Sequence, residues 1–498
     1  MLVCSLHLQR TRFTCLPVVF AFLCTGLLSH EANAIDPAEA ATAWFDKVLS
    51  GEVVLTAQPS GTDASEAPHL ELSTNSQEAA SEFAVTLWQA YRDAATTQGW
   101  QQQIPQPSRV GRTTSSGQSA PSTPPTQSID IIEMESSDGQ RMPCCLLQKG
   151  DKPPNGWPLF ICMHGGGKYF GKEKLTDPHG WMVNSREFTT QIALARKVYQ
   201  PDGMYFVPRM ADDNRGRWFH QHNLELFQRL IRGCILFYDV DPNRVYITGI
   251  SQGGYGTGHL APLLADRFAA ASPMAGGAEV VYENLRNLPF RSEIGEHDTM
   301  YRRIELAQKT HEKLEELHQS DPGGYSHLLS IQKGKGHGID YSPVPNWLSE
   351  HTRNPYPQRV VWRCHEKDGF YNPHFYWLSV TEVPSSGYYH IIAEIDRETQ
   401  TIEINAHQNP GGKAEEGDIT ANQPLSSTDL VVHLNDQLLD LDEPFVIKVN
   451  GQVQFSGIRA RTPSTMARNL AIRGDLNYAF PVDIVLKLHE TPQAEPAH

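Results

Sequence analysis

Residues 246–256 read YITGISQGGYG and set Ser251 between Gly249 and Gly253. The stretch before the serine, "RVYITGI" (244–250), is an apolar, β-branched run of buried-strand type. The segment after it, "GGYGTGHLAPLLADRF", continues as a helix. A G-x-S-x-G pattern at such a junction specifies a sharp strand-to-helix turn that exposes the serine hydroxyl. Glycine two residues to either side leaves room for the turn and for the close approach of strand and helix.

A second glycine motif lies upstream. "FICMHGGGKYF" places His164-Gly165-Gly166-Gly167 at the end of an earlier buried strand. Hydrolysis of an acyl bond passes through a tetrahedral oxyanion, and backbone N–H groups must already point at it. Glycines let the main chain come close, so Gly165 and Gly166 are the candidates from this loop, with the N–H of Gln252, the residue after the serine, as the second source. A serine hydroxyl also needs a base, and the base needs a carboxylate to orient it. Downstream, "NLPFRSEIGEHDTMYRR" offers Asp298, with Glu296 and Asp340 as rivals for the acid. "LLSIQKGKGHGID" offers His337, flanked by glycines after a strand.

Taken together, "DVDPNRVYITGISQGGYGTGHLAPLLADRFAAASPMAG", the GEHD loop and the GHG loop resemble the α/β-hydrolase superfamily. The similarity is to its polyhydroxybutyrate-depolymerase-like and feruloyl-esterase-like serine esterases, with dienelactone-hydrolase-like and prolyl-oligopeptidase-like members nearby. It covers about residues 155–350. It implies an eight-stranded-type, mostly parallel sheet with helices on both faces, no cofactor, and a Ser251–His337–Asp298 triad. One departure stands out: "PFRSEIGEHD" holds Arg291, Ser292 and Glu293 where the family has an apolar strand before its acid.

The rest of the chain is read outward from this unit. Short apolar runs at 158–164, 204–209, 268–276 and 327–332 alternate with helical stretches, the pattern of a mostly parallel sheet. "IDIIEMESSDGQRMPCCLLQ" reads as a hairpin around Asp138-Gly139. The expected catalytic unit spans 129–370, and alternating runs with an Asn450-Gly451 turn mark a small β-rich domain over 371–498. Residues 35–102 lean helical, with Phe83, Leu87 and Tyr91 on one stripe. The Pro-, Ser- and Thr-rich 103–128 reads as a disordered linker. At the N-terminus, Arg10 and Arg12, the apolar run 16–28 and Ala32-Asn33-Ala34 form a secretory signal peptide, so a secreted or periplasmic product is expected.

Removing residues 1–34 takes away Arg10, Arg12 and Glu31, which moves the net charge from −15 to −16. That surface disfavours nucleic acid and anionic membrane, and no later segment is apolar enough for a membrane span. Cys144, Cys145, Cys162, Cys234 and Cys364 remain, without a CxxC pair, and "HEKLEELH" (311–318) has the wrong spacing for zinc, so no metal site is expected. Adjacent Cys144 and Cys145 on a strand should face opposite sides. The loop "PRMADDNRGRWFHQHN" follows a strand end, where Arg209, Arg215 and Trp218 are candidates for an anionic or aromatic part of the substrate. The leading reading is a serine hydrolase of carboxylic esters, small or polymeric. The alternatives are a serine peptidase on the same scaffold and an inactive scaffold that binds through its β domain.

Overall fold

The computed structural model describes residues 36–55, 70, 72–111, 128–414 and 423–488. The expected signal peptide lies outside these residues, as does most of the expected linker.

Helices α1 (Pro37–Ser50) and α2 (Gln77–Thr97) open the described chain. Ser76 caps α2, its hydroxyl accepting the Ala79 N–H. Leu87 and Tyr91 of the expected stripe are buried against Trp44 and Phe45, with Phe83 packed at the edge of the same cluster.

The first correction falls on residues 103–128. Pro107–Val110 form a strand, β1, and do not belong to a linker. Only Ser108 and Val110 turn inward, so a polar composition is compatible with an edge strand. Strands β2 (Ile132–Glu135) and β3 (Arg141–Lys149) make the expected hairpin. β2 pairs antiparallel with the first half of β3 (Ile132 opposite Cys144), and β1 runs parallel to its second half (Pro107 opposite Leu146). Next come β4 (Trp157–Met163), helix α3 (Met182–Lys197), β5 (Gly203–Pro208) and helix α4 (Gln221–Phe237). β6 (Val240–Ile250), helix α5 (Gln252–Leu263), β7 (Ala270–Met274) and β8 (Phe290–Gly295) follow. The unit closes with α6 (Arg303–Ser320), β9 (His327–Gln332) and α7 (Pro343–Ser349).

The sheet order is β1-β3-β5-β4-β6-β7-β8-β9, with β2 on β3. β3 is antiparallel to β5, and every neighbour from β5 to β9 is parallel. There are nine strands where the resemblance implied eight; β1 is the addition. Both faces are covered. Leu159, Ile161 and Met163 of β4 pack with Leu224, Phe227 and Leu230 of α4, while Phe160 and Cys162 pack with Phe188 of α3 and Leu348 of α7. Cys144 joins the first core and Cys145 the second, so the adjacent thiols do face opposite sides. The five cysteines among the described residues are free and buried, and burial pushes their pKa up, that of Cys145 to about 12. This order, with its antiparallel β3 and helices on both faces, is the α/β-hydrolase architecture.

The C-terminal β structure begins before residue 371, at β10 (Arg359–His365). β11 (His374–Phe375), β12 (Leu378–Val380), β13 (Tyr388–Asp396), β14 (Thr401–Asn409), β15 (Gln423–Pro424) and β16 (Leu430–Leu434) follow. β17 (Phe445–Val449) and β18 (Gln452–Gly457) are joined by Asn450 and Gly451, both at positive φ as a tight two-residue hairpin requires. Helix α8 (Pro463–Arg473) and β19 (Val482–Leu486) complete the described residues. The strands form a six-stranded sheet, β10-β13-β14-β17-β18 with β15 on β14, and a four-stranded sheet, β11-β12-β16-β19. One apolar core runs from Leu226 and Leu263 through Trp362 and Ile391 to Val432. Helix α8 packs on α1 and α2 through Met466, Ala467 and Leu470.

Candidate active site

Ser251 stands between β6 and α5 with φ 54° and ψ −110°. A non-glycine residue held there stores on the order of 1–3 kcal/mol of strain. Its N–H donates to Met274 O at 2.8 Å, and its carbonyl accepts the Tyr255 N–H at 3.0 Å, which fixes the turn from both sides. The flanking glycines now have a direct explanation. A Cβ on Gly249 would lie 2.5 Å from the Gly253 carbonyl, and one on Gly253 would lie 2.4 Å from Met163 O. Strand, turn and helix touch backbone to backbone, which no larger residue permits.

His337 occupies the loop after β9, and Asp298 the loop after β8. The His337 Nε2 to Ser251 Oγ distance is 3.0 Å, and His337 Nδ1 to Asp298 Oδ2 is 2.7 Å. A buried carboxylate at Nδ1 makes that nitrogen the proton donor, leaving Nε2 as the acceptor for the serine hydroxyl. Asp298 is itself anchored: its Oδ1 accepts from Arg303 Nη1 at 2.9 Å, and both side chains are buried. The two loops are tied by His297 N–H to Lys335 O (2.8 Å) and Glu296 N–H to Gln332 O (3.1 Å). A Cβ on Gly295 would sit 2.0 Å from Gly336 O, so glycine at that position lets acid and base loops meet.

The rival acids serve elsewhere. Glu296 accepts the Gly334 N–H at 2.8 Å, and the Asp340 carboxylate accepts the Ser342 N–H at 2.9 Å. The polar β8 also finds its reason. Arg291 pairs with Glu293, whose other oxygen accepts from Ser330 Oγ (2.9 Å) and Gln332 Nε2 (2.7 Å). The buried charges are paired and hydrogen-bonded, so the strand forms without an apolar run.

The HGGG loop lies against the serine. A Cβ on Gly165 would come within 3.5 Å of Ser251 Cβ, and one on Gly167 within 3.1 Å of Gln252 Oε1. Gly167 gives its N–H to Asn184 Oδ1 at 2.9 Å. Gly166 and Gln252 line the cavity beside Ser251. Gln252 begins α5, where a backbone N–H has no partner inside its own helix. His164 is buried, and burial lowers its pKa to about 4. Its Nε2 accepts the Met210 N–H at 3.0 Å and its carbonyl accepts Trp218 Nε1 at 3.1 Å, so the neutral ring pins the loop.

The substrate-binding candidates are corrected. Arg209 is buried and its guanidinium is spent on Asp213, Met210 O and His179 O. Arg215 pairs with Asp368 at 3.1 Å, and Trp218 is fully buried beneath the HGGG loop. From the same segment, Arg217 and Phe219 line the cavity instead. That cavity, about 610 Å³, is also lined by Lys168, Phe170, Trp181, Tyr255, His259, Tyr301 and Arg303. Lys168 and Phe170 follow HGGG directly and Arg303 follows Asp298 by one turn of chain, so adjacency to the motifs was the available signal.

A second serine–histidine–aspartate chain lies in the four-stranded sheet. Ser379 Oγ is 2.7 Å from His433 Nε2, and His433 Nδ1 is 2.6 Å from Asp483 Oδ1. Ser379 is 1% exposed and His433 5%, and His374 Nδ1 occupies the hydroxyl's other side at 2.6 Å. It is a buried network closed to substrate. Among the described residues no helix is long and apolar enough to cross a membrane, and no group of three or more His, Cys, Asp or Glu residues is disposed to hold a metal ion.

No protein-family model and no curated protein matches the chain. Solved structures do. A thermostable esterase is 22% identical, with a TM-score of 0.35, over 49% of this chain and 70% of that one. A feruloyl esterase module from Clostridium thermocellum is 14% identical, with a TM-score of 0.29, over 49% of this chain and 93% of that one. A siderophore hydrolase, EstB, from Aspergillus nidulans is 15% identical, with a TM-score of 0.31, over 46% of this chain and 94% of that one.

Proposed function

We propose that this chain is a serine hydrolase of carboxylic esters that works through an acyl-enzyme, and that residues 1–34 direct its export. The observation that carries the reading is the relay Asp298–His337–Ser251, with contacts of 2.7 and 3.0 Å, opening on a cavity lined by Ser251 itself. His337 Nε2 takes the hydroxyl proton as Ser251 Oγ attacks the ester carbonyl carbon. The N–H groups of Gln252 and of Gly165 or Gly166 receive the oxyanion. Collapse expels the alcohol, which leaves with the proton from His337. Water then repeats the sequence on the acyl-enzyme and releases the acid.

Amide hydrolysis would use the same groups but needs timed protonation of a poorer leaving nitrogen, and peptidases also hold an extended chain in register. An ester and an amide of identical acyl group are expected to differ in kcat/KM by about 100-fold or more in favour of the ester, beyond 2.7 kcal/mol of transition-state free energy. Equal or better amide cleavage that disappears in Ser251→Ala would make the enzyme a peptidase.

A further inference from the structure

The cavity beside Ser251 carries a charge opposite to that of the chain. The sequence has a net charge of −15, yet Lys168, Arg217 and Arg303 line the cavity and, among the described residues, no acidic side chain does. Arg303 is committed to Asp298. Among the described residues Arg217 is paired with no carboxylate; its hydrogen bonds go to Gly216 O and Gln252 Oε1, both at 3.2 Å. Lys168 is exposed and, among the described residues, takes part in no ion pair. The segments that carry the two cations are in contact: a Cβ on Gly216 would lie 2.0 Å from Lys168 Cα.

Of the carboxylates nearby, Asp213 is held by the buried Arg209, while Glu187 lies beside Gly165, with the exposed Arg186 at 3.7 Å. A further cation, Lys367, sits 5.1 Å from the centre of the Phe219 ring. His259 reports the same field from inside the cavity: burial first, then Lys367, His365 and Arg217, lower its pKa to about 3. Like charges on the wall of one cavity repel, and an anion entering that cavity offsets the cost. Around them the wall is aromatic, with Trp181 and Phe219, and with Phe170 and Tyr301 standing 79% and 72% exposed at the cavity.

Resting on the ester-hydrolase reading, we infer that the cavity selects esters that carry a carboxylate, held by Arg217 and Lys168, with the apolar part of the substrate against Phe170, Trp181 and Phe219. The carboxylate is a recognition group and takes no part in the bond changes. It draws a substrate into a site that the acidic remainder of the surface would repel.

The test uses two matched pairs of esters with the full chain. One pair, 4-nitrophenyl hydrogen adipate and 4-nitrophenyl methyl adipate, carries or lacks the charge on the acyl side. The other, 4-acetoxybenzoate and its methyl ester, carries or lacks it on the leaving side. Wild type is expected to favour the charged member of at least one pair by about tenfold in kcat/KM, the size of a charge-assisted contact in a half-open site. In Arg217→Gln and Lys168→Gln the charged-to-neutral ratio should fall towards one, and added salt should lower it in wild type. Neutral esters preferred in both pairs, or ratios unchanged in both variants, would overturn the inference. Turnover of the neutral members that depends on Ser251 keeps the hydrolase reading separate: its loss refutes that reading, and its presence leaves only the selectivity in question.

Discussion

Ser251→Ala is expected to lower kcat/KM towards activated esters by about 10⁶, because on the proposed mechanism the attacking oxygen is gone and the rest of the relay has nothing to activate. The fold should survive. Alanine keeps the Cβ at a position whose backbone is already fixed by Met274 O and the Tyr255 N–H, so the circular dichroism spectrum and melting temperature should match wild type. The control is Ser379→Ala. It removes the hydroxyl of the second serine–histidine–aspartate chain and leaves His433 Nε2 and His374 Nδ1 without that partner. An unsatisfied buried group costs about 1–3 kcal/mol of stability, yet activity per folded molecule should be unchanged. Activity of Ser251→Ala within tenfold of wild type would move the nucleophile elsewhere.

Asp298→Asn comes second, with an expected loss of about 10⁴ in kcat. Asparagine can offer its amide to His337 Nδ1, which turns the ring to the wrong tautomer, and it brings no charge to stabilise the imidazolium. A structural cost accompanies the catalytic one, since Arg303 then lies buried without its counter-ion. Deleting one member of a buried pair costs about 3–5 kcal/mol, less where an acceptor oxygen remains as in Asn, so the melting temperature should fall as well. Asp340→Asn is expected to change activity by about twofold at most, as for an exposed loop residue, since among the described residues its carboxylate accepts from the Ser342 N–H alone. Rates are compared per folded molecule; a larger loss in Asp340→Asn than in Asp298→Asn would reverse the assignment.

The elements that were legible in the sequence are those whose chemistry is local. The turn at Ser251, the hairpin at Asp138-Gly139 and the two-residue turn at Asn450-Gly451 each depend on a few residues whose backbone needs are distinctive. What the sequence concealed depends on partners far along the chain. The strand Pro107–Val110 looks like linker until β3 supplies its hydrogen bonds and the core takes Val110. The charged residues of β8 argue against a strand until Arg291, Glu293, Ser330 and Gln332 are seen as one paired group. The wall of the cavity was missed for the same reason. Arg209 and Trp218 lie in the right loop, but whether a loop side chain turns to substrate or into the core is decided by Asp213 and by the HGGG loop.

The most direct measurement is covalent labelling of the native protein with a fluorophosphonate, followed by peptide mapping. Oγ displaces fluoride at phosphorus while His337 accepts the hydroxyl proton, so the reagent reports the activated serine and nothing about substrate preference. One adduct per chain is expected, on the peptide containing Ser251, absent from Ser251→Ala and formed far more slowly in Asp298→Asn. Ester hydrolysis that proceeds with Ser251 unlabelled, or an adduct on another serine that abolishes activity, would contradict the assignment of Ser251 as the nucleophile.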